Sequence, residues 1–394
     1  MRVNIIGGGA AGFFAAVNIK EMRPDAEVII IERGKDVLRK VAVSGGGRCN
    51  LTNTFDGIAN LAEVYPRGHR LMRKLFHSFG PKEAREWFEK RGVKLVVQPD
   101  HCIFPATQES RTVINCLTRG AQAAGVELRT DVKEIDVDGM LGRGEIVVIC
   151  TGGMSNSEAL SWAGISTEDI ERPIPSLFSI AIDDNEMHDL MGTVVKGVTV
   201  SFAGTKHKAQ GDMLLTHWGV SGPAILRLSS YAARTLADSN YNGTLVINWL
   251  GESEERAKGV LEKIATTSPL KSVINAHPQV ITSRLWEHIV HHSLGSADQK
   301  KWKELGKKEF NKLLQGSVAA TYPIKGRAPF KDEFVTAGGV SLSTLNSNTL
   351  ESKRRPGLYF AGEVIDVDGV TGGFNFTAAW STAMAVARAV AQKK

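Results

Sequence analysis

Apolar residues at the start of the chain follow a strand, then a helix, then a second strand. Residues 3–6 and 28–31 are short runs of mostly β-branched side chains. Between them apolar residues recur at helical spacing from Phe13 to Ile19. A strand–helix–strand unit of this kind predicts a parallel sheet covered by helices.

The same two patterns continue to about residue 150. Helices are predicted at 67–91, as a pair whose second member begins at Pro81, and at 107–124. Strands are predicted at 94–97, 102–104, 126–129, 131–137 and 145–150, the last as a fully buried apolar run.

The pattern changes after Pro173 and Pro175. Alternating strands are predicted at 194–202 and 244–249, and helices at 224–236, 254–266, 279–294 and 299–314. From residue 357 the chain returns to a strand, a glycine and an acid, followed by an alanine-rich helix at 376–391. We therefore predict a discontinuous Rossmann-like α/β domain, 1–187 plus 334–394. Residues 188–333 would form an inserted smaller domain with β-rich and helical parts.

Three glycines stand where the first predicted strand meets the first helix. Gly7, Gly9 and Gly12 give G-x-G-x-x-G, and Glu32 follows at the end of the second strand. The glycines allow a tight turn, close approach of a pyrophosphate and close packing of helix on strand, and the acid can bind ribose hydroxyls. This register predicts a dinucleotide site, the alternative being a turn of structural use only.

A second glycine cluster, Gly45–Gly47, lies in a predicted loop. Lys40 and Arg48 flank it with positive charge. Consecutive glycines expose backbone N–H groups that suit a phosphate or the polar edge of a ring. The alternative is a flexible loop. Gly152 and Gly153 end the predicted strand at 145–150, where α/β sheets bind ligands.

The C-terminal strand, glycine and acid favour a flavin over a nicotinamide. A long dinucleotide could place its adenine half on Gly7–Glu32 and reach Glu363, Gly372 and Gly373 with its ring. The last helix would then stabilise negative charge on the reduced ring by roughly 0.3–2 kcal/mol. Otherwise the helix only packs on the sheet. There is no second complete G-x-G-x-x-G, so NAD(P)H is expected only as a transient electron donor.

Composition narrows the class of protein. The chain has 394 residues, 42% hydrophobic and 23% charged, as in ordinary globular proteins. No apolar run approaches the roughly 20 residues that span a bilayer, and no signal peptide is expected. The four cysteines have neither C-x-x-C nor metal-ligand spacing. We expect a reduced, cytoplasmic protein without disulfides or a metal site, and without the chemistry of dithiol flavoenzymes.

The net charge of +6 is concentrated in the middle of the chain. Residues 188–333 hold 19 lysine and arginine residues against 13 acidic ones, and seven of the ten histidines. This excess indicates either a solvated basic face or a surface for a polyanion such as RNA.

Four motifs together resemble a known family. KVAVSGGGRCNLTN (40–53), MLLTHWGVSGPAILRLS (213–229), TAGGVSL (336–342) and LYFAGEVIDVDGVTGGFNFTAAW (358–380) are similar to the aminoacetone-oxidase-like, BaiN-type FAD-binding flavoproteins. The resemblance implies a glutathione-reductase-like FAD domain interrupted by a smaller domain. It implies FAD contacts by Gly7, Gly8, Gly9, Ala10, Ala11, Gly12, Glu32, Arg33, Lys40, Ser44, Gly45, Gly46, Gly47, Val132, Thr151, Gly152, Gly153, Gly362, Glu363, Gly373, Phe374, Asn375 and Phe376.

One motif departs from the family. The usual G-G-Y-N-L-Q reads here as GGFNFT, with Phe374, Phe376 and Thr377 in place of tyrosine, leucine and glutamine. A hydroxyl and an amide near the flavin or substrate are thereby lost.

The resemblance leaves the reaction open, because members are linked to amine oxidation, to reduction of an enone in bile acids and to dihydrouridine in large-subunit ribosomal RNA. We expect an FAD-dependent oxidoreductase that transfers a hydride to or from a small amine, ketone or enone. The alternative is an RNA-modifying reductase that makes dihydrouridine. A third hypothesis is a flavin-bound regulatory protein without activity.

Two residues are candidates for proton transfer. Cys49 lies beside Arg48, whose charge would favour the thiolate. His217 lies on a predicted turn ahead of a helix that Pro223 can begin. The alternatives are a small core cysteine and a turn histidine. Ser221 is expected to be the N-cap of that helix.

Overall fold

The computed structural model describes residues 1–328 and 335–393. The chain forms two compact units, Met1–Ile174 with Val335–Lys394 and Pro175–Phe334. The first is called the nucleotide unit and the second the inserted unit. Residues 175–187, assigned above to the discontinuous domain, fall in the inserted unit.

A five-stranded parallel sheet is the centre of the nucleotide unit. Its strands, in spatial order, are β16 (Leu358–Phe360), β7 (Ile146–Ile149), β1 (Arg2–Ile6), β2 (Glu27–Ile31) and β6 (Glu127–Arg129). All four pairings are parallel. The three central strands read as almost continuous apolar runs because both faces of a parallel sheet are covered. From β1 the chain moves first toward β6 and later toward β16, so the order reverses between β1 and β7.

The described part of this unit contains seven helices. They are α1 (Ala10–Met22), α2 (Arg39–Gly47), α3 (His69–Phe76), α4 (Pro81–Lys90), α5 (Arg111–Ala124), α6 (Val137–Gly142) and α13 (Phe374–Ala391). Phe14 of α1 packs against Phe79, Trp87 and Trp380, with ring centroids 4.5–5.7 Å apart. These aromatic contacts place α1 and α13 on the same side of the sheet core.

Two smaller sheets lie beside the five-stranded sheet in the described chain. One is antiparallel, with β3 (Thr52–Asn53), β5 (Cys102–Pro105) and β4 (Leu95–Val97) in that order, and the other joins β8 (Ile170–Ser176) to β15 (Val335–Val340). The 3₁₀ helices of the described chain are Leu61–Glu63, Ser161–Ala163, Thr167–Asp169, Gly295–Ala297, Trp302–Glu304 and Leu342–Thr344.

The inserted unit is a closed barrel with helices. Its strands, in order around the barrel, are β10 (Val194–Phe202), β11 (Lys208–Thr216), β12 (Gly219–Ser221), β9 (Ile180–Ile182), β14 (Ala320–Arg327) and β13 (Asn242–Asn248). Its helices are α7 (Asn185–His188), α8 (Pro223–Tyr231), α9 (Ala233–Asp238), α10 (Glu254–Thr267), α11 (Ser283–Leu294) and α12 (Lys307–Val318). One apolar core runs through barrel and helices, and Trp249, Trp286 and Trp302 are its largest members.

Two local predictions in the nucleotide unit are wrong, and in the inserted unit the helix predicted at 299–314 is instead the 3₁₀ helix Trp302–Glu304 followed by α12. Residues 131–137 are not a strand, because Asp136 caps α6 by accepting a hydrogen bond from Gly139 N–H at 2.8 Å. The loop predicted around the second glycine cluster contains α2, which departs from helical geometry at Ser44, Gly45 and Gly46.

No helix of the described chain is long and apolar enough to cross a membrane.

Candidate functional site

The first glycine turn lies at the reversal of strand order, between β1 and β7. Gly7 N–H donates to Ile31 C=O (2.8 Å) and Cys150 N–H donates to Ile6 C=O (2.7 Å). A Cβ on Gly7 would lie 2.4 Å from Cys150 O, and one on Gly12 would lie 2.0 Å from Gly7 O. Both glycines are therefore required by close packing of backbone on backbone.

Gly9 differs from these two glycines. It is the N-cap of α1, and a Cβ built on it meets no atom within 4 Å. The first N–H groups of a helix have no partner within the helix and attract anions. Open space at this helix end is what a pyrophosphate needs, and Ala10 and Ala11 keep side chains small in the first turn.

Glu32 is held at the end of β2. Its Oε2 accepts from Gly8 N–H and its Oε1 from Gly34 N–H, each at 2.7 Å. Val132 N–H donates to Glu32 C=O at 3.1 Å, which places the segment after β6 beside this acid. Arg33 is exposed. A carboxylate has about four acceptor positions, so Glu32 can still accept from ribose hydroxyls.

The second glycine cluster is the distorted end of α2. Gly46 and Gly47 have φ of 68° and 82°, and a Cβ on either would meet no atom within 4 Å. Ser44 Oγ donates to Val41 C=O at 2.8 Å. The start of α2 is tied to the first turn because Leu38 N–H donates to Gly8 C=O at 2.8 Å.

Polar side chains join the segment after α2 to the turn before α13. The Asn50 amide donates to Thr52 C=O and accepts from Gly373 N–H, each at 3.1 Å. Asn53 Nδ2 donates to Gly372 C=O at 3.0 Å. These hydrogen bonds therefore tie the segment after α2 to the turn before α13.

Glu363, after β16, contacts α2, β15 and the turn after β7. Its Oε2 accepts from Lys40 Nζ (2.6 Å) and its Oε1 from Thr336 N–H (2.9 Å). A Cβ on Gly153 would lie 2.9 Å from Glu363 Oε1, whereas Gly152 has φ of 79° and only ordinary contact with that side chain. Gly362 N–H donates to Thr382 of α13 at 2.9 Å, and Thr151 begins the turn after β7.

The departures from the family motif lie in an aromatic cluster. Phe374 is buried against Phe55 and Tyr65, with ring centroids 5.0 and 6.1 Å away, and Tyr65 Oη donates to Phe374 C=O at 2.8 Å. The Asn375 side-chain amide accepts from Gly369 N–H and donates to Gly369 C=O, each at 2.8 Å. Phe376 stacks on Trp380 at 5.6 Å.

Thr377, at the glutamine position, is fully buried and pairs with Thr52 Oγ1 at 2.8 Å. It also donates to Gly373 C=O at 3.0 Å. The substituted positions therefore hold the turn before α13 in place.

Cys49 has no exposed surface. Burial raises the pKa of its thiol to about 12, and a hydrogen bond with Ser44 offsets only part of this. The expectation that Arg48 favours the thiolate is wrong, because Arg48 instead donates to Gly45 C=O and lies over the Phe104 ring. A catalytic role for Cys49 stays a prediction, without support from its geometry.

His217 lies in the inserted unit, on the two-residue turn between β11 and β12. It is exposed, and its ring contacts Trp218 at a centroid distance of 4.3 Å. Pro223 begins α8 as expected, but the N-cap is Gly222. Ser221 instead shares a hydrogen bond with Ser179 at 2.6 Å. Proton transfer by His217 also stays a prediction.

Asn50, Asn53 and Thr336 were not among the predicted contact residues. All three contribute to the polar connections described above. Asn50 and Asn53 close the motif at 40–53, and Thr336 opens the motif at 336–342, so membership in those motifs was the available signal. Among residues 1–328 and 335–393, no group of three or more His, Cys, Asp or Glu is arranged to hold a metal ion.

Four turns that follow parallel strands thus meet at one edge of the sheet, with one open glycine, Gly9, at the N-terminus of α1 and an acid after β2. The residues fit FAD. Gly9 would accommodate the pyrophosphate, Glu32 the ribose, and the Gly46–Gly47 loop with the start of α13 the ring. Fold and site together define the class of protein: a Rossmann-type, FAD-dependent oxidoreductase.

The family is shown by the model of the HI0933-like protein Rossmann domain, which matches residues 1–389. This chain belongs to that family.

Two relatives align over nearly the whole chain. One is the 3-dehydro-bile acid delta(4,6)-reductase of Clostridium scindens, 24% identical over 100% of this chain and 99% of its own. The other is the ribosomal RNA dihydrouridine synthase of Escherichia coli, 28% identical over 98% of this chain and 96% of its own.

Among solved structures, 3-ketosteroid delta1-dehydrogenase from Sterolibacterium denitrificans has a similar fold. The two structures superpose with a TM-score of 0.50 at 12% sequence identity, and the alignment covers 100% of this chain and 99% of the other.

Proposed function

We propose that this protein is an FAD-dependent reductase of a carbon–carbon double bond conjugated to a carbonyl group, with a small enone as the substrate. The observation that carries the proposal is the edge of the parallel sheet. There the open Gly9 lies at the N-terminus of α1, and the Lys40–Glu363 and Asn50–Gly373 hydrogen bonds tie α2 and the segment after it to the turns after β16 and before α13. Such an arrangement suits a dinucleotide whose adenine half lies at the first glycine turn and whose ring reaches the N-terminus of α13, as FAD would.

The names of the two relatives support the choice of substrate class. The bile-acid enzyme is named for reducing the 4 and 6 double bonds of a 3-dehydro compound, and the ribosomal RNA enzyme for producing dihydrouridine. Both reactions saturate a double bond conjugated to a carbonyl. We therefore prefer reduction of an enone over oxidation of an amine.

FAD supplies hydride transfer, which protein side chains cannot perform. The protein binds and orients the cofactor through the first glycine turn, Glu32 and the N-terminus of α13, whose dipole favours negative charge at that end. NAD(P)H is the proposed electron donor, acting transiently without a domain of its own. For each double bond saturated, one hydride and one proton are added to the substrate and one NAD(P)H is oxidised.

The cofactor is tested with Gly9→Glu. We expect the purified protein to contain oxidised flavin and the variant to contain none, because the new carboxylate would occupy the open space at the α1 N-terminus. The matched control is Gly142→Glu in α6, where a Cβ also meets nothing within 4 Å. The measurement is flavin absorbance per chain, with circular dichroism to verify folding. Equal flavin in a folded Gly9→Glu protein would contradict the proposed site.

The reaction is tested anaerobically with NADH or NADPH as the donor. We expect a 3-oxo-4-ene steroid to reoxidise the reduced flavin, with one donor consumed per double bond. Mass spectrometry would measure a gain of two hydrogens. Flavin that no donor reduces would instead support a regulatory protein.

A second candidate substrate is a uridine in large-subunit ribosomal RNA, which would yield dihydrouridine. The observation that favours it is the excess of 19 basic over 13 acidic residues at 188–333. Nucleoside analysis of ribosomal RNA from cells with and without the gene distinguishes the two. Loss of dihydrouridine in the deleted strain would establish the RNA substrate.

A further inference from the structure

An open groove lies on the helical part of the inserted unit. Its volume is about 540 Å³, and it runs between the end of α11, one face of α12 and the start of β14. Its polar lining includes His292, Lys308, Asn311, Lys312 and Gln315. It is separate in sequence from every residue assigned above to FAD.

The lining residues of α12 follow helical spacing. Lys308, Asn311, Lys312 and Gln315 are three or four positions apart, so they share one face of the helix. All four are exposed. Lys308 and Lys312 are one turn apart, with a rise of about 6 Å between them.

The helices α11 and α12 approach closely at Ser293 and Gly316, both of which line the groove. A Cβ on Gly316 would lie 1.8 Å from Ser293 Oγ and 2.9 Å from Ser293 Cβ. Only a glycine permits this approach. The cationic face of α12 is thereby held beside the end of α11 with His292.

The groove has one sign of charge. None of the described residues that line it is Asp or Glu. Two acids lie nearby: Glu309 accepts from Lys300 at 2.5 Å and from Gly306 N–H at 3.0 Å, and Glu254 accepts from Gln315 of the lining at 3.1 Å. Lys308 and Lys312 therefore face the groove without a carboxylate in its lining.

Local arrangement matters more here than total charge. Counted over the whole inserted unit, 175–334, there are 19 basic and 16 acidic residues. The unit as a whole is only weakly basic. A concave surface of one sign raises the local potential far more than a small net excess does.

We propose that this groove binds phosphate groups of single-stranded RNA, with Lys308 and Lys312 contacting successive phosphates. The lining offers no Phe, Tyr or Trp on which bases could stack, so binding would follow the backbone and not the base sequence. Asn311 and His292 can donate further hydrogen bonds to phosphate oxygens. The inference deepens the second candidate substrate given above and does not depend on enone reduction.

The test uses the full-length, flavin-loaded protein and a fluorescent single-stranded RNA of mixed sequence. Anisotropy titrations between 50 and 200 mM KCl give the affinity and its salt dependence. The test variant is Lys308→Gln with Lys312→Gln. The control is Lys258→Gln with Lys263→Gln on the exposed face of α10, which removes the same charge from the same unit. Lys308→Arg with Lys312→Arg restores both charges.

We expect the test variant to bind at least tenfold more weakly than the control. Its slope of log affinity against log salt should be smaller in magnitude by about 1.4, since each phosphate contact on a single strand contributes about 0.7. The arginine variant should bind like the unmodified protein. Equal affinities of the test and control variants would overturn the proposal.

Competition with inorganic phosphate distinguishes an RNA-binding groove from a site for a single phosphate ion. We expect millimolar phosphate to displace RNA no better than chloride at equal ionic strength, because one ion lacks the second contact. Strong displacement would overturn the RNA assignment in favour of a small-anion site. Flavin content and steroid reduction, measured on the same samples, should be equal in all variants, so a failure of either proposal is distinguishable from a failure of the other.

Discussion

Glycine residues at the sheet edge differ in what occupies the place of the missing Cβ. At Gly7 and Gly12 that place is taken by backbone within 2.4 Å, so a substitution there disrupts the fold itself. At Gly9 it is empty. The same motif therefore contains two structural glycines and one whose substitution is expected to affect only the ligand. This difference is why Gly9→Glu is a usable test of FAD binding.

Cys49 provides a residue-scale prediction. Burial raises the pKa of its thiol to about 12, so at pH 8 the group is held as the unreactive thiol. We expect iodoacetamide to leave Cys49 unmodified in the folded, flavin-loaded protein over several hours. Peptide mass spectrometry measures the modification, and protein unfolded in urea, in which all four cysteines should react, is the control. Rapid native alkylation of Cys49 would contradict the buried geometry.

At the scale of elements, the α11–α12 pair depends on one small residue. Gly316→Ala forces the helices apart, because the new methyl group would overlap Ser293. We expect the free energy of unfolding to fall by about 1–3 kcal/mol, as in other overpacked interiors. Gly259→Ala in α10 is the control, since its Cβ meets nothing within 4 Å. It should stabilise the protein by about 0.5–1 kcal/mol through helix propensity.

Urea unfolding followed by tryptophan fluorescence measures both glycine variants. Trp249, Trp286 and Trp302 lie in the core of the inserted unit and report on it. A Gly316→Ala protein as stable as the Gly259→Ala protein would mean that the two helices do not approach as closely as described.

At the scale of the whole molecule, pH is expected to act on the inserted unit before it acts on the carboxylates. His288 is buried, and its Nε2 lies 2.9 Å from Tyr322 Oη while its Nδ1 lies 3.7 Å from Glu186. Burial lowers the pKa of His288 below its ordinary value of 6.5, although Asp184 and Glu186 act in the opposite direction and His292 in the same one. The folded protein therefore binds this proton less readily than the unfolded chain does.

Proton linkage gives the direction in which stability changes with pH. The contribution of neutral His288 to the free energy of unfolding is fully present above pH 6.5. It is lost as pH falls from 6.5 toward the lowered pKa of folded His288, because the unfolded state binds more protons in that range. Glu27, Glu127 and Glu309 also have lowered pKa values, but from an ordinary value of 4.5, so they act at more acid pH.

The His288→Gln variant tests whether protonation of His288 causes this loss of stability. Its amide can retain the hydrogen bond with Tyr322 and does not titrate. We expect the urea midpoint of the unmodified protein to fall between pH 7 and pH 5.5 and that of the variant to fall less. Identical pH dependence in the two proteins would exclude His288 as the source.

Much of the nucleotide unit could be predicted from local pattern. The first glycine turn, Glu32, the pair of helices divided at Pro81 and the last helix depend on residues close together in sequence. The segment at 131–137 could not be predicted by periodicity, because a single side chain, Asp136, caps a helix there. Apolar alternation is a weaker signal than a capping hydrogen bond in such a short segment.

The sequence by itself determined the α/β class, the dinucleotide motif and the separate character of the middle segment, because strand and helix periods and glycine spacing are properties of neighbouring residues. Only the tertiary structure decided that β10 pairs with β13 to close a barrel, that Asn50 meets Gly373, and that Cys49 is inaccessible. These features join residues tens to hundreds of positions apart. Which distant groups meet, and which become buried, is set by packing of the whole chain and not by any local pattern.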